Sequence, residues 1–247
     1  MGWFSRRTRT AAARGKQGQP PSAGAPAGRA AAGGPGGNRP AAGRGSRPPA
    51  AGPGAEPEVH RSLGLAALFA GMPARTKLEV LDLGPAVGGN IEFLSRFGCK
   101  LYIEDLYTAL VGGLSSSGGE RLGPAFFASF LAFPEGTRFH AVLAWDLFDY
   151  LERKELAALS SYLARYCQPE AQLLALVSIG KQIPQQPHRF KIVDAEHLAY
   201  ERQSAAERPC PRYAPAELAD LMHGFRLDRS FLMRHGVQEY LFARRSD

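Results

Sequence analysis

The sequence predicts an α/β domain with a doubly wound, mostly parallel sheet, preceded by a disordered tail. Three observations support this fold class. Short apolar runs alternate with segments of helical spacing through residues 58–247. The first of these runs ends in a glycine turn at residues 84–89, and the last two are separated by a short turn near the C-terminus. Residues 1–55 are mainly Ala, Gly, Pro and Arg, and they offer too little apolar surface to offset the entropy lost on folding.

Charge is divided unevenly along the 247 residues, whose formal net charge is +7. Residues 1–55 contain nine Lys or Arg and no Asp or Glu, which leaves 21 basic and 23 acidic residues in the rest of the chain. The predicted domain is therefore nearly neutral. A basic tail can hold nucleic acid or an anionic membrane surface by counterion release, but a tail of biased composition can also act only as a solvating segment. Both interpretations stay open.

The cysteines and the length of the apolar segments indicate the cellular compartment of the protein. Cys99, Cys167 and Cys210 are too far apart for a CxxC pair or a zinc knuckle, and this predicts a reducing compartment. The histidines show no metal-ligand spacing, so no metal site is predicted. No run is long enough for a transmembrane segment, and the N-terminus lacks the apolar core of a secretion signal. We therefore expect a cytoplasmic protein.

The first half of the domain predicts a βαβ unit. A helix is expected over residues 58–72, where apolar residues recur at helical spacing, and a strand over 77–83. A second helix over 90–97 is ended by Gly98, and a second strand follows over 100–104.

The middle of the domain continues the alternation of strands and helices. Residues 112–123 are rich in Gly and Ser and predict a loop, and residues 124–133 fit either a buried helix or a degenerate third strand. Phe139–Trp145 predicts a parallel strand covered on both faces. An amphipathic helix over 153–166 and a buried strand over 171–177 complete this part.

The last third predicts a lid and a closing hairpin. Residues 180–213 are polar with scattered prolines and are expected above the sheet, with an irregular strand or hairpin over 189–199. A last helix is expected over 216–222, followed by antiparallel strands over 225–232 and 237–243.

Two acids and a glycine turn mark the candidate site. The turn reads Asp82-Leu83-Gly84-Pro85-Ala86-Val87-Gly88, and Asp105 follows Asp82 by 23 residues at the end of the next strand. Glycine has no Cβ, so the backbone of such a turn can approach a ligand closely. A carboxylate at the end of the second strand can accept hydrogen bonds from both hydroxyls of a ribose. These residues predict a site for a nucleoside-containing cofactor.

The order of elements resembles the class I methyltransferases, which use S-adenosylmethionine (SAM). The resemblance covers most of residues 77–245 and rests on the turn at 82–88, similar to the family's acid-x-Gly-x-Gly-x-Gly, on the acid at 105 and on the C-terminal hairpin. It implies a seven-stranded sheet and transfer of a methyl group from SAM to a nucleophile. Ala86 stands where the family usually has its middle glycine, and Pro85 stiffens the turn.

The resemblance also implies a set of cofactor-binding residues at the ends of the first, second and fourth strands. They are Asp82, Gly84, Pro85, Ala86, Gly88, Glu104, Asp105 and Trp145. Adjacent strand residues point to opposite faces, so either Glu104 or Asp105 is expected at the ribose. Asp105→Ala is expected to weaken cofactor binding and to change stability little. No acid suited to the adenine amine occurs in residues 128–133, and the adenine contacts stay unassigned.

Candidate catalytic residues follow the strand Phe139–Trp145. Asp146, Asp149 and Tyr150 lie there, and His188 lies on the predicted lid, where each can act as general base for a hydroxyl or carboxyl acceptor. Each has a plainer interpretation. The two aspartates can cap the next helix, and Tyr150, like Trp145 in the cofactor set, can simply pack in the core.

Two other activities compete with small-molecule methylation. A dinucleotide oxidoreductase needs Gly-x-Gly-x-x-Gly, whereas the glycines of this turn stand at 84, 88 and 89. The segment after Trp145 lacks the Asn/Asp-Pro-Pro-aromatic signature of enzymes that methylate planar amines in bases or glutamine. We therefore expect SAM-dependent methyl transfer to a small-molecule acceptor. The alternative is a catalytically degenerate cofactor-binding or scaffolding protein of the same fold, which Ala86 and the missing acid for the adenine amine favour.

Overall fold

The computed structural model describes residues 57–72, 77–113, 122–233 and 236–246. The tail predicted at 1–55 and most of the loop predicted at 112–123 lie outside these residues. The strands are β1 (Glu58–Arg61), β2 (Glu79–Asp82), β3 (Lys100–Ile103), β4 (Phe139–Trp145), β5 (Cys167–Ser178), β6 (Gln182–Pro184), β7 (Arg189–Asp194), β8 (His197–Glu201), β9 (Glu207–Pro209), β10 (Phe225–Leu232) and β11 (Val237–Arg244). The helices are α1 (Leu63–Gly71), α2 (Gly88–Ser95), α3 (Leu106–Gly113), α4 (Pro124–Phe130), α5 (Arg153–Ala164) and α6 (Pro215–Leu221), and a 3₁₀ turn spans Leu147–Tyr150.

The main sheet is mostly parallel, with an antiparallel hairpin at one side, as predicted. Its strand order is β10-β11-β5-β4-β2-β3. The pairs β2–β3, β2–β4 and β4–β5 are parallel, and β11 runs antiparallel to β5 and β10. This arrangement places the carboxyl ends of β2, β3 and β4 at one edge of the sheet.

The described residues give this sheet six strands, not the expected seven. The segment at 124–133, which fits either a helix or a third strand by sequence, contains helix α4. Pro124 occupies the start of that helix, where its missing N–H costs nothing, whereas in a sheet it would leave a gap in the hydrogen-bond ladder.

The register of the sheet fixes which residues meet at the carboxyl edge. Asp82 pairs with Ile103 on β3 and with Leu143 on β4. Glu104, the residue after Ile103, and Trp145, two residues after Leu143, therefore come near Asp82. Strand β4 is buried over almost its whole length, as expected for a central parallel strand.

The predicted helix at 58–72 is wrong in its first turn. Residues 58–61 form β1, which pairs antiparallel with β8, and α1 begins only at Leu63. Ser62 caps α1 by accepting a hydrogen bond from the Leu65 N–H (3.0 Å). Glu239 on β11 accepts another from the Gly64 N–H (2.6 Å). Pairing with a distant strand overrides the local helical spacing here.

The lid region folds into two small sheets. The β7–β8 hairpin, predicted at 189–199, joins β1 in a three-stranded antiparallel sheet, and β6 pairs with β9. Within the described ranges, every helix is too short or too polar to cross a lipid bilayer.

Candidate functional site

Asp82 and Trp145 are joined where β2 and β4 end. The Asp82 carboxylate is buried, and its Oδ1 accepts hydrogen bonds from Trp145 Nε1 (2.6 Å) and from the Gly84 N–H (2.9 Å). Trp145 has a φ of +49°, a conformation that bulky residues rarely adopt. This backbone turns the indole over the glycine turn, so that a Cβ on Gly84 would lie 2.9 Å from Trp145 Cδ1. Gly84 therefore makes room for the indole, a role that its sequence position does not reveal.

Burial changes the pKa of the Asp82 carboxyl. Loss of solvent raises the pKa of its carboxyl to about 6, although the hydrogen bonds from Trp145 and Gly84 oppose that rise. Its hydrogen-bond donors are neutral groups, so the carboxylate lacks a compensating positive charge from them. A cationic ligand atom in this position would supply it.

Helix α2 is bound to the lid through the buried side chain of Asn90. Its Nδ2 donates to the Phe190 carbonyl (3.1 Å), and its Oδ1 accepts from the Ile192 N–H (2.7 Å), so the amide pairs with β7 as a neighbouring strand would. Phe190 also stacks on Trp145, with ring centroids 5.3 Å apart and an interplanar angle of 6°. Strand β7 thus lies directly against the glycine turn.

The other two glycines of the turn have different surroundings. A Cβ on Gly89 would lie 2.9 Å from Cε of Lys191 on β7, whereas one on Gly88 would meet no atom within 4 Å. Ala86 and Gly88 are exposed and Pro85 is half-buried. The open side of the turn is therefore formed by residues 85–88.

The two acids after β3 have distinct contacts. Asp105 precedes α3 and caps it, since Oδ1 accepts from the Thr108 N–H (3.0 Å) and Oδ2 from Thr108 Oγ1 (2.7 Å). The Glu104 N–H donates to the Asp82 carbonyl (2.9 Å), which extends the β2–β3 pairing by one residue. Asp105 thus has a structural role that the sequence analysis missed, although a carboxylate has further lone pairs for a ligand.

A cavity of about 390 Å³ lies at this edge of the sheet. It is lined by Pro85, Asp105, Tyr107, Thr108, Gln186, Pro187, His188, Arg189 and Gln203. The glycine turn contributes Pro85 and the segment after β3 contributes Asp105, so the two sequence features meet at one cavity. Its volume lies within the usual range for small-molecule sites. Among the residues in the described ranges, no group of three or more His, Cys, Asp or Glu is arranged to bind a metal ion.

Asp146 connects three elements at this cavity. Its Oδ1 accepts from the hydroxyl of Tyr107 (2.6 Å), while its Oδ2 lies 3.0 Å from the His188 backbone nitrogen and 2.8 Å from His188 Nδ1. His188 lines the cavity, and Asp146 is buried behind it. The structure therefore brings two of the predicted catalytic candidates into contact.

The structure places Asp149 and Tyr150 away from this cavity. Both oxygens of Asp149 accept from the Ser178 N–H (3.0 and 3.2 Å), and burial raises the pKa of this carboxyl well above its ordinary value. The Tyr150 hydroxyl donates to the Pro184 carbonyl (3.1 Å). These contacts fix the 3₁₀ turn to β5 and β6. Neither aspartate caps α5, because Glu152 occupies its N-cap position.

Asn90 and Tyr107 are functional candidates that the sequence pattern does not predict. A weak signal exists for Asn90, a polar residue on the side of α2 that carries the buried Leu94. Tyr107 follows the second acid by two residues, but its contact with Asp146 depends on how α3 packs against the end of β4. Such long-range contacts leave no pattern in the local sequence.

No protein-family model and no curated protein matches the chain. Several solved structures are similar to it. A TehB-like SAM-dependent methyltransferase from Corynebacterium glutamicum shares 14% identity over 74% of this chain and 88% of its own, with a TM-score of 0.41. Magnesium protoporphyrin IX methyltransferase from Synechocystis shares 16% over 73% and 76%, with a TM-score of 0.40.

A third similar structure is 1,6-didemethyltoxoflavin-N1-methyltransferase from Burkholderia thailandensis, with 17% identity over 74% of this chain and 77% of its own and a TM-score of 0.40. SAM-dependent methyltransferases are thus among the solved structures that this chain resembles.

Proposed function

We propose that this protein binds SAM and transfers its methyl group to a small-molecule acceptor. The observation that carries the proposal is that Pro85 of the glycine turn and Asp105 beyond β3 line the same cavity. In open α/β sheets, ligands bind outside the carboxyl ends of the parallel strands, where this cavity lies. The pairing of β2 with β3 brings the two features together.

The residues at the cavity and beneath it suit the chemistry of SAM, which carries a ribose, an ammonium and a sulfonium. Asp82 is a buried carboxylate with neutral hydrogen-bond partners, and we assign it to the ammonium. Asp105, which lines the cavity, is the acceptor for the ribose hydroxyls, and Glu104 is the alternative. The open side of the turn, residues 85–88, supplies backbone contacts, and Trp145 acts through Asp82 because its indole is covered by Phe190.

When bound, SAM supplies an electrophilic methyl group, and the protein contributes mainly orientation. Holding two reactants in line can lower a barrier by roughly 7–11 kcal/mol without a general base. The β7–β8 hairpin contributes in a second way. It covers the glycine turn through Asn90 and Phe190 and so keeps water from that side.

The same hairpin supports a second candidate function. Phe190 and the Asn90 contacts hold the hairpin over the glycine turn, and a hairpin that never left this position would keep an acceptor from reaching a bound cofactor. Such a protein would be a cofactor-binding or scaffolding protein. The two candidates differ in whether a methyl group leaves the bound cofactor.

Two measurements on the full chain separate these outcomes. Isothermal titration with SAM and S-adenosylhomocysteine (SAH) tests binding, and transfer of tritium from S-[methyl-³H]-adenosylmethionine to a small-molecule cell extract tests catalysis. Binding with transfer supports the enzyme, binding without transfer supports the second candidate, and no heat at high-micromolar ligand contradicts both.

A further inference from the structure

We infer that His188 is the general base of this site and that the methyl acceptor presents a hydroxyl group. This inference rests on the proposed methyl transfer and adds the class of acceptor. Its basis is the contact between Asp146 after β4 and His188 on the lid, which places an imidazole, held by a carboxylate, on the wall of the cavity.

The carboxylate sets which nitrogen of His188 carries the proton. Asp146 Oδ2 lies 2.8 Å from His188 Nδ1 and also accepts from the His188 backbone N–H (3.0 Å). An ionised carboxylate only accepts hydrogen bonds, so Nδ1 is the protonated nitrogen and Nε2 keeps its lone pair. This is the tautomer that a proton acceptor at Nε2 requires.

Tyr107 holds the other oxygen of Asp146. Its hydroxyl donates to Oδ1 (2.6 Å), and burial, together with the nearby Asp146 charge, raises the pKa of Tyr107 well above its ordinary value, so that it remains a donor. Both carboxylate oxygens are therefore engaged, and Asp146 cannot rotate without losing a bond. Asp146 and Tyr107 are positioning residues for His188.

The His188 ring is fixed by aromatic neighbours and open on one side. It packs edge-to-face on Tyr200 (centroids 5.4 Å apart) and Phe190 (6.0 Å), and 23% of the side chain is exposed. Within the described part of the chain, no residue forms a hydrogen bond with Nε2. Base, orienting carboxylate and adjoining cavity are the parts that a proton-abstracting site needs.

The charged and titratable groups around His188 come from several elements. They are Asp146 after β4, Asp149 in the 3₁₀ turn behind Asp146, Asp105 and Tyr107 at the start of α3, Arg189 on β7 and Tyr200 on β8. The groups that contact the His188 ring directly are Asp146 and Tyr200, of which only Asp146 is charged.

This arrangement favours hydroxyl acceptors over aromatic amines and carboxylates. In the proposed step the acceptor O–H gives its proton to Nε2, and the oxygen forms a bond to the methyl carbon. The C–S bond breaks with its electron pair left on sulfur, which yields SAH, and the imidazolium later releases the proton to water. An aromatic amine is neutral at neutral pH and already has a free lone pair, and a carboxylic acid is already ionised, so neither needs a base before attack.

The experiment compares the wild-type full chain with His188→Gln, Asp146→Asn and, as control, His223→Gln, whose histidine is exposed near α5, away from the cavity. SAH titration and thermal unfolding first establish that each variant binds and folds. Initial rates of tritium transfer to the small-molecule extract are then measured, and the labelled product is identified by mass spectrometry.

We expect the wild type to transfer the label and to give a methyl ether. His188→Gln should lose about 10²–10⁴-fold in rate, with SAH affinity unchanged. Asp146→Asn should also lower the rate, because the amide carries no charge to hold the proton on Nδ1 of His188. A long-range ¹H–¹⁵N spectrum should show His188 protonated at Nδ1.

Other results would overturn the inference in recognisable ways. Full transfer by His188→Gln, a labelled N-methyl amine, or a proton on Nε2 in place of Nδ1 would each remove His188 as the base while leaving methyl transfer intact. SAH binding without any transfer by the wild type would also overturn it. Absence of SAH binding would instead defeat the proposed function itself.

Discussion

Trp145 Nε1 donates a 2.6 Å hydrogen bond to Oδ1 of Asp82, and this bond joins the carboxyl ends of β4 and β2. The same oxygen accepts from the Gly84 N–H, and the indole fills the space that a Cβ on Gly84 would need. Strand ends, buried charge and glycine turn therefore form one unit. A substitution at any of these three residues should therefore change the contacts of the other two.

Trp145→Phe tests this unit. The change removes the Nε1–H donor and leaves Asp82 Oδ1 with the Gly84 N–H, and it also reduces the surface stacked on Phe190. We expect a loss in the free energy of unfolding of about 1–3 kcal/mol from the hydrogen bond, with a further packing cost. Urea unfolding at pH 7 measures it. In an Asp82→Asn background the loss should be smaller, and strictly additive effects would show that the two residues act independently.

Asp82→Asn should change how stability depends on pH. Because burial raises the pKa of Asp82 from 3.8 to about 6, the folded state binds this proton more tightly than the unfolded state. The stabilisation from protonated Asp82 is therefore complete below about pH 4 and is lost as pH rises through 6. Asparagine keeps an acceptor oxygen without the charge, so the variant should gain on the order of 3 kcal/mol over the wild type at pH 7 and little at pH 4.

Urea unfolding of both proteins is measured from pH 4 to 7.5. The difference between their free energies of unfolding is taken at each pH, so that the contributions of other titrating groups cancel. A difference that stays flat across this range would show that Asp82 is not the group whose proton is linked to folding. Under the proposed function, the same variant should bind SAH more weakly, because the ammonium loses its counter-charge. A variant more stable but weaker in binding would mark Asp82 as retained for the ligand.

Asn90→Ala should loosen the lid. The change leaves the Phe190 carbonyl and the Ile192 N–H without the amide that pairs with them. Since unpaired buried groups are costly, we expect β7 to open to solvent more often, at a cost of about 1–3 kcal/mol. Hydrogen exchange of the Ile192 amide should be faster than in the wild type. Glu92→Gln, an exposed position on the same helix, is the matched control, and equal exchange in both variants would contradict the assigned role of Asn90.

The local sequence was sufficient to predict an element where a single strand or turn determines its structure. Strand β4 has the predicted bounds because a continuous apolar run needs cover on both faces and so belongs in the middle of the sheet. The closing hairpin of β10 and β11 also agrees with its prediction, since two apolar runs flank a short turn. The acid at the end of β2 and the acids after β3 lie at the same edge of the sheet, because the two strands are parallel and end together.

Long-range contacts decided what the sequence could not predict. Residues 58–61 form a strand only because β8, nearly 140 residues later, offers them a partner. Gly84 and Gly89 have neighbours, Trp145 and Lys191, that explain their missing Cβ without a ligand. His188 lies 42 residues from Asp146, and only the folding of the lid onto the sheet brings the two together.

The contacts of Asp105 revise the expectation that Asp105→Ala changes stability little. Alanine removes the cap of α3, both of whose bonds go to Thr108, so we expect a loss of about 0.5–2 kcal/mol together with weaker SAH binding. Asp105→Asn separates the two roles, since the amide oxygen can still accept from the Thr108 N–H. Differential scanning calorimetry should find this variant nearly as stable as the wild type, while isothermal titration should find it weakened toward SAH. Full SAH affinity in Asp105→Asn would instead assign the ribose to Glu104, its neighbour at the end of β3.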